Sequence, residues 1–324
     1  MSNTSRSVAV VGAGISGLVS AMRLREAGYQ VRVIAEKFEN ETVSSVAAAL
    51  WFPYECGPAA RVNDFARETY AWMSVIATSH PEAGIDIVDN YETAKTQTRP
   101  DWHHALPPHI SVKWVTKSPV HREHGAWRFP APRADPRYFL PWCRQQLLAS
   151  GVDFECRRVE SLAAEAERCL AVVNCTGSAA RNLVGDNLLS GLLCHLRVAE
   201  IGSWPSSRSA ADEITTDAYV IPRRGCVVIG GTRIPTDAIG IQPGDRLIGD
   251  RLQSEALSAG IGVGEAIADV AGVLPCRNEL RLCLDDRDPR IIHNYGHGGA
   301  GWTLSWGCAG QVLELIRQVT SPLK

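Results

Sequence analysis

The sequence of 324 residues lacks several features that would place it in a common class of proteins. No apolar run approaches the roughly 18 residues that a membrane-spanning helix needs. The N-terminus, MSNTSRSVAVVGAG, has no apolar core followed by a small-residue cleavage site, so it is not typical of a secretion signal. The 10 cysteines form no CxxC pair and no zinc-like spacing. We therefore expect reduced thiols in a cytoplasmic protein.

The composition also lacks an excess of positive charge. Lysine and arginine number 33 against 35 acidic residues, which gives a formal net charge of −2. Because nucleic acids and anionic membrane surfaces select for basic proteins, we expect neither as a partner. The motifs GxSxG, HExxH and the P-loop are absent, which argues against the enzyme classes that depend on them.

The N-terminal segment is typical of a strand, a helix and a second strand. VAVV at 8–11 has the pattern of a buried strand, and apolar residues then recur at helical spacing from Ile15 to Met22. Gly28 ends this helix, and VRVIAEK at 31–37 is the next strand. A right-handed crossover makes the two strands parallel.

The motif GAGISG, between the first strand and the helix, predicts a dinucleotide site. Gly12 permits the tight turn, Gly14 lets the backbone approach a pyrophosphate, and Gly17 lets the helix pack closely on the strand. The start of the helix, at Ile15 and Ser16, faces the phosphate charge.

Glu36 and Lys37 end the second strand of this unit. Glu36 follows Gly17 by about 20 residues, where an acceptor for a ribose hydroxyl belongs. Lys37 either contacts the same ribose or points to solvent. An acid at this position disfavours the 2′-phosphate of NADP. FAD and NAD both fit the motif, and we favour FAD because the chain returns to the same sheet much later.

HNYGHGGAGWT, at residues 293–303, is the most glycine-rich stretch. A metal site on His293 and His297 would require both side chains on one helical face, and the glycines disfavour a helix there. We predict no metal site. Instead, the glycines allow the backbone to approach a cofactor closely before a final helix begins near Gly301.

The remaining segments predict a second lobe that is interlaced with the first. We predict helices at about 60–78 and 137–151, a buried strand within 169–177, a hairpin at 213–233, and helical potential across 243–270. The fold class is α/β: an FAD-binding, Rossmann-like lobe with a parallel sheet and a substrate lobe with a mixed or antiparallel sheet. The FAD-binding lobe would contain residues 1–50, 137–185 and 287–324, and the substrate lobe residues 51–136 and 186–286.

Six stretches resemble, in the same order, the sequences of D-amino-acid oxidases. They are GAGISGL, VAAALWFPY (46–54), VVNCTG (172–177), AYVIP (218–222), LPCRNELRL (274–282) and HNYGHGGAGWTLSWGCA (293–309). The resemblance implies an FAD-dependent oxidase that removes a hydride from Cα of a D-amino acid to flavin N5. The imino acid then hydrolyses to a 2-oxo acid and ammonia, and oxygen is reduced to hydrogen peroxide.

The resemblance also assigns roles to individual residues. Arg277 would clamp the substrate carboxylate, the Tyr219 hydroxyl would support it, and the Gly299 carbonyl would accept the substrate amine. The helix that begins near Gly301 would aim its positive end at the flavin, where Thr303 would add a hydroxyl donor. The other residues that we expect at the cofactor are Ser44, Ala48, Ala49, Leu50, Val159, Thr176, Gly177, Gly298 and Trp302.

Three departures from the family pattern leave the substrate open. Thr215 replaces a second tyrosine, Ala49 replaces a glycine, and SGLLCHLRV at 190–198 lacks a glutamine. The alternatives are a glycine, sarcosine or specialised amine oxidase on the same fold, and a catalytically idle dinucleotide-binding protein. The expected partners are an amino acid and molecular oxygen, and the sequence leaves a homodimer and another electron acceptor open.

A preference for an acidic substrate has weaker support. The basic residues Arg223, Arg224 and Arg233 favour it, but the first two fall in the predicted hairpin turn.

Overall fold

Two kinds of strand pairing meet in one large sheet. The computed structural model describes residues 7–53, 56–117, 124–202, 213–215 and 218–320. Within them, the large sheet has 12 strands and a second sheet has 3. The strands are β1 (Ser7–Val11), β2 (Gln30–Ala35), β3 (Ile85–Ala94), β4 (Lys113–Val115), β5 (Gly125–Ala134), β6 (Asp153–Cys156), β7 (Ala171–Asn174), β8 (Ser190–Ile201), β9 (Glu213–Thr215), β10 (Ala218–Arg223), β11 (Cys226–Gly230), β12 (Ile234–Thr236), β13 (Ile241–Pro243), β14 (Val263–Leu284) and β15 (Ile291–His297).

Helices cover this framework and connect its strands. They are α1 (Ile15–Glu26), α2 (Val43–Val46), α3 (Ala59–Ser79), α4 (Pro136–Ala149), α5 (Leu162–Ala166), α6 (Ala180–Leu183), α7 (Arg246–Ser258) and α8 (Gly301–Thr320). A turn of 3₁₀-helix, Gly298–Ala300, leads directly into α8. No helix of the described residues is long and apolar enough to cross a membrane.

One half of the large sheet is parallel. Its strand order is β6, β2, β1, β7 and β15, and every neighbouring pair in it is parallel. The helix α1 connects β1 to β2 and buries Ile15, Leu18 and Val19 against the sheet. The predicted strand–helix–strand unit is confirmed, because the apolar stripe of α1 covers the sheet between its two parallel strands.

The other half of the sheet is antiparallel and begins at β15. This strand is parallel to β7 on one side and antiparallel to β14 on the other, and all seven of its residues are buried. Strands β8, β11, β10 and β9 follow β14. The hairpin of β10 and β11 turns between Arg223 and Cys226, within the predicted range. The mixed sheet that the sequence predicts is therefore present.

Residues 243–270 differ from the prediction of helical potential. The helix α7 covers only Arg246–Ser258, and Gly260 follows it with a φ of 79°, a left-handed value that ends the helix. From Val263 the chain forms β14, which pairs with β8. The prediction was wrong for this second part because a pairing partner about 70 residues away stabilises the strand, and local periodicity does not contain that partner.

Within residues 51–136, which were predicted to belong to the substrate lobe, three strands form the second sheet, in the order β3, β5, β4. The same segment also contains α3, which packs on both α8 and this sheet. The apolar residues of α1, α3 and α8 share one core. The division into two lobes at the residue boundaries given above stays a prediction.

The crossing of α3 and α8 depends on a close backbone approach at Gly307. A Cβ atom added there would lie 2.3 Å from Cα of Phe65, whereas one added at Gly310 would meet only the end of the Glu68 side chain, at 3.5 Å. We expect Gly307→Ala to lower the free energy of unfolding by about 2 kcal/mol or more, because the helices must separate. Gly310→Ala is the control and should be neutral or stabilising by up to about 1 kcal/mol. Urea denaturation measures both, and equal stability of the two variants would contradict the close approach.

Candidate active site

A cavity of about 450 Å³ lies at the carboxyl ends of the parallel strands. Its walls include Val11 and Ala35, the last residues of β1 and β2, Cys175, which follows β7, and the end of β15. In open α/β sheets, ligands bind in the crevice outside these strand ends. The cavity is therefore the candidate cofactor site.

The glycine turn between β1 and α1 forms the floor of this cavity. Gly12 has a φ of 108°, and a Cβ atom there would lie 2.3 Å from the carbonyl oxygen of Cys175. A Cβ atom at Gly17 would lie 1.9 Å from the carbonyl oxygen of Gly12. The first glycine thus brings the turn against β7, and the second brings α1 against the turn, as the motif predicts.

Ser44 joins the beginnings of two helices at the cavity. Its Oγ accepts a hydrogen bond of 2.9 Å from the backbone N–H of Ile15, the first residue of α1. Its carbonyl oxygen accepts one of 3.3 Å from Nε1 of Trp302, in the first turn of α8. Both helix N-termini are consequently held at the same cavity, where their backbone dipoles favour a negatively charged group.

Most of the residues that the sequence predicts at the cofactor line this cavity. They are Gly12, Gly14, Ile15, Ser16, Glu36, Lys37, Ser44, Val159, Thr176, Gly177, Gly298, Gly301 and Trp302. These residues come from separate segments of the chain, and the fold brings them together. Their role in binding a cofactor stays a prediction.

Gly17, Ala48, Ala49, Leu50 and Thr303 lie outside the lining. Gly17 contributes by helix packing, as described above. The hydroxyl of Thr303 donates to the carbonyl oxygen of Phe52 at 2.8 Å and accepts from the backbone N–H of Phe52 at 3.1 Å. The hydroxyl donor that we expected toward a flavin is therefore already engaged by residue 52.

The backbone conformation at Ala49 suits the glycine that the family resemblance implies at this position. Its φ is 57°, in the left-handed region that residues with a Cβ atom rarely adopt. Its carbonyl accepts a hydrogen bond from Ala134, and the bridge between Leu50 and Arg133 follows directly, so the surrounding chain holds this conformation in place. The replacement by alanine keeps the glycine conformation, with its strain.

Two of the residues predicted at the substrate, Gly299 and Tyr219, lie in different surroundings. Gly299 lines the cavity. The Tyr219 hydroxyl lies against Gly230 and Gly231 and shares a hydrogen bond with the thiol of Cys194. Burial raises the pKa of Tyr219 well above its usual value, so the hydroxyl stays protonated.

Arg277 lies outside the cavity lining, against the glycine strand β15. Its stem crosses Gly296, where a Cβ atom would lie 2.8 Å from the arginine Cδ. Nε of Arg277 lies 3.2 Å from Oδ2 of Asp186, close enough for an ion pair but without hydrogen-bond geometry. Nη1 donates to the carbonyl oxygen of Glu279 at 2.9 Å.

Two cavity residues that the sequence analysis set aside or missed are His297 and Tyr295. His297 is 4% exposed, and Nε2 lies 3.1 Å from Oδ1 of Asn294. Burial lowers its pKa to about 4, so the imidazole is neutral at neutral pH. Tyr295 lines the cavity and donates to Asp186 at 2.7 Å. The buried pattern of β15 was the available signal, but alternation cannot indicate which face meets a cavity.

The fold and this cavity define a dinucleotide-binding protein. A family model described as FAD dependent oxidoreductase (DAO) matches residues 7–315. The D-amino-acid oxidase of Rubrobacter xylanophilus is 33% identical over 315 residues, which are 94% of this chain and 94% of that protein. The D-amino-acid oxidase of Streptomyces coelicolor is 33% identical over 317 residues, 95% of this chain and 96% of that protein.

Among solved structures, glycine oxidase from Geobacillus kaustophilus has a similar fold. Its TM-score is 0.78 at 15% identity, with 98% of this chain and 96% of that chain covered. The chain belongs to the DAO family of FAD-dependent oxidoreductases. It is an FAD-dependent enzyme that acts on amino donors, and the resemblance seen in the sequence is confirmed.

The residues of the cavity fit FAD. Gly12 and Gly17 leave no space for a side chain because the turn packs on Cys175 and α1 packs on the turn, and this places Gly14, where the backbone can approach a pyrophosphate, in the cavity lining. The N-termini of α1 and α8 both meet the cavity, one suited to the pyrophosphate and the other to negative charge on a reduced ring. Glu36 lines the same cavity, and a carboxylate there would suit a ribose hydroxyl as an acceptor.

The left-handed conformation of Ala49 leads to a stability prediction. We expect Ala49→Gly to raise the free energy of unfolding by about 1 kcal/mol, because it removes the Cβ strain at a positive φ. Ala48→Gly is the matched control at a position without a positive φ, and it should lower stability by about 0.5–1 kcal/mol. Thermal denaturation of both variants measures the difference. Destabilisation by both would show that Ala49 is unstrained.

Proposed function

We propose that this enzyme oxidises a D-amino acid to its imino acid and passes the electrons to oxygen. The imino acid then hydrolyses, so that amino acid, oxygen and water yield 2-oxo acid, ammonia and hydrogen peroxide. The observation that carries this proposal is the identity of 33% with D-amino-acid oxidases over nearly the whole chain. The fold similarity to glycine oxidase, at 15% identity, supports the architecture and does not select glycine as substrate.

Arg277 is our candidate for the carboxylate clamp. Its Nε and Nη1 engage Asp186 and the Glu279 carbonyl, and the structure gives Nη2 no partner within the described ranges. A guanidinium held on one side offers a carboxylate its remaining N–H groups in a fixed direction. The Tyr219 hydroxyl, kept protonated by burial, would donate a second hydrogen bond.

The backbone around Gly299 would orient the substrate amine. Its carbonyl oxygen is suited to accept an amine hydrogen, and the helix α8 that begins two residues later favours negative charge nearby. The bound flavin supplies a two-electron acceptor. The protein residues therefore contribute orientation and electrostatic stabilisation, and no side-chain base is required once the amine is neutral.

A substrate panel tests the reaction. We expect the purified protein to be yellow and to release hydrogen peroxide with at least one D-amino acid and not with its L-enantiomer. The assay should include neutral, acidic and basic D-amino acids, glycine and sarcosine. Peroxide only with glycine or sarcosine would replace the proposed substrate class. No oxidation of any amine, with oxygen or with an electron-accepting dye, would favour an idle FAD-binding protein.

Substitution of Arg277 tests the clamp. We expect Arg277→Ala to keep bound flavin but to lower kcat/KM by about 100-fold or more, because a charge-assisted hydrogen-bonded pair is lost. Arg277→Lys should recover only part of the loss, since a point charge cannot replace the planar fork. Arg246→Ala is the control, because the Arg246 side chain is 87% exposed. Unchanged kcat/KM in Arg277→Ala would place the substrate carboxylate elsewhere.

A further inference from the structure

A chain of buried polar side chains connects the cofactor cavity to the turn between β14 and β15. The His293 side chain is 0% exposed, and its Nε2 lies 3.0 Å from Oδ2 of Asp285. Its Nδ1 lies 3.2 Å from Nδ2 of Asn174, at the end of β7. Asn174 Oδ1 accepts from the Thr176 hydroxyl at 2.7 Å and from the Thr176 backbone N–H at 3.2 Å. Thr176 lines the cavity.

The donors and acceptors of these side chains allow only one direction for this series of hydrogen bonds. Oδ1 of Asn174 is an acceptor for two N–H or O–H groups of Thr176, so its amide Nδ2 donates to Nδ1 of His293. A neutral imidazole with an accepting Nδ1 carries its proton on Nε2, which donates to Asp285. Every donor therefore points away from the cavity and toward the carboxylate.

The protonation states of His293 and Asp285 maintain this direction. Burial lowers the pKa of His293, which keeps its imidazole neutral. For Asp285, burial raises the pKa, but hydrogen bonds from His293 and from backbone N–H groups outweigh it and the pKa is lowered. Oδ1 of Asp285 accepts from the backbone of Arg287 at 2.9 Å and of Asp288 at 3.2 Å. The carboxylate is thus fixed in position and ionised.

We infer that this chain makes the Thr176 hydroxyl an acceptor toward the cavity, where it receives a hydrogen bond from a hydroxyl or amino group of the bound FAD. The hydroxyl proton is committed to Asn174, so only lone pairs of Oγ1 remain for a ligand. Asp285, His293 and Asn174 are positioning residues, since none of them lines the cavity. The inference concerns FAD binding and is independent of the substrate proposed above.

Asp285→Asn should reverse the chain. The turn holds an oxygen at the Oδ1 position through two backbone N–H groups, so the new amide nitrogen faces His293. Nε2 must then accept and Nδ1 carries the proton, so Asn174 can accept from His293 only by turning its amide, which places the NH₂ group against the Thr176 hydroxyl and breaks the hydrogen bond from the Thr176 backbone N–H. The Thr176 hydroxyl would no longer be restricted to accepting from the cavity.

The experiment measures FAD affinity and the histidine tautomer together. Calorimetric titration of FAD into apoprotein should give a Kd about tenfold higher for Asp285→Asn and for Thr176→Val, with Thr176→Ser close to the parent protein. The double variant should bind no more weakly than Thr176→Val alone, because both changes remove the same hydrogen bond. ¹⁵N NMR of His293 should change from protonated Nε2 to protonated Nδ1 in Asp285→Asn.

Asp286→Asn is the matched control, since Asp286 is the exposed neighbour of Asp285 and should leave the Kd and the tautomer unchanged. Titration with ADP identifies the part of FAD that donates the hydrogen bond to the Thr176 hydroxyl. A loss of ADP affinity in Thr176→Val assigns it to the adenosine half of FAD, and a loss confined to FAD assigns it to the ribityl half. The inference is overturned if Thr176→Val binds FAD like the parent, if the losses of the single variants multiply in the double variant, or if the parent His293 has its proton on Nδ1.

Discussion

The strand β15 is the element on which the rest of the structure depends. It is parallel to β7 and antiparallel to β14, so it joins the nucleotide-binding half of the sheet to the other half. Because all its residues are buried, both flanking halves pack against it, and neither can shift without breaking its hydrogen bonds. Gly296 gives the Arg277 stem room to cross the strand, and the chain then turns through Gly298 into α8. A single segment therefore contacts the cofactor cavity and the candidate substrate arginine.

Two helix N-termini meet at the cavity. The two helices that begin there are held by Ser44, which receives one hydrogen bond from Ile15 and another from Trp302. Each helix contributes the positive end of its dipole, and this favours an anionic ligand that extends between them. Backbone dipoles of this kind are already oriented before the ligand arrives, so little reorganisation is needed on binding.

Local patterns predicted much of the fold and part of the site. The turn at Gly12 and the start of α8 at Gly301 were predictable because the glycine spacing and the helical periodicity lie within a few residues of each other. The hydrogen bond from the Thr303 hydroxyl to the Phe52 carbonyl oxygen could not be predicted from local patterns, since the two residues are 251 positions apart. The ion pair of Arg277 with Asp186 also joins residues that are far apart in the sequence. Such contacts depend on the assembled sheet, whereas turn chemistry and helix starts do not.

Arg281 links the polar groups around Asp186 to those around Asp285. Arg281 lies 3.6 Å from Asp186 and 3.8 Å from Asp285, so it contacts the carboxylate that accompanies Arg277 and the one that ends the His293 chain. Two arginines and two aspartates are balanced in charge while His293 is neutral. A substrate carboxylate bound to Arg277, as proposed above, would add one negative charge to this balanced group. Because Asp186 and the Glu279 carbonyl already engage Nε and Nη1, the carboxylate would meet the remaining N–H groups, and Arg281 would supply positive charge beside it without a new charge entering the site.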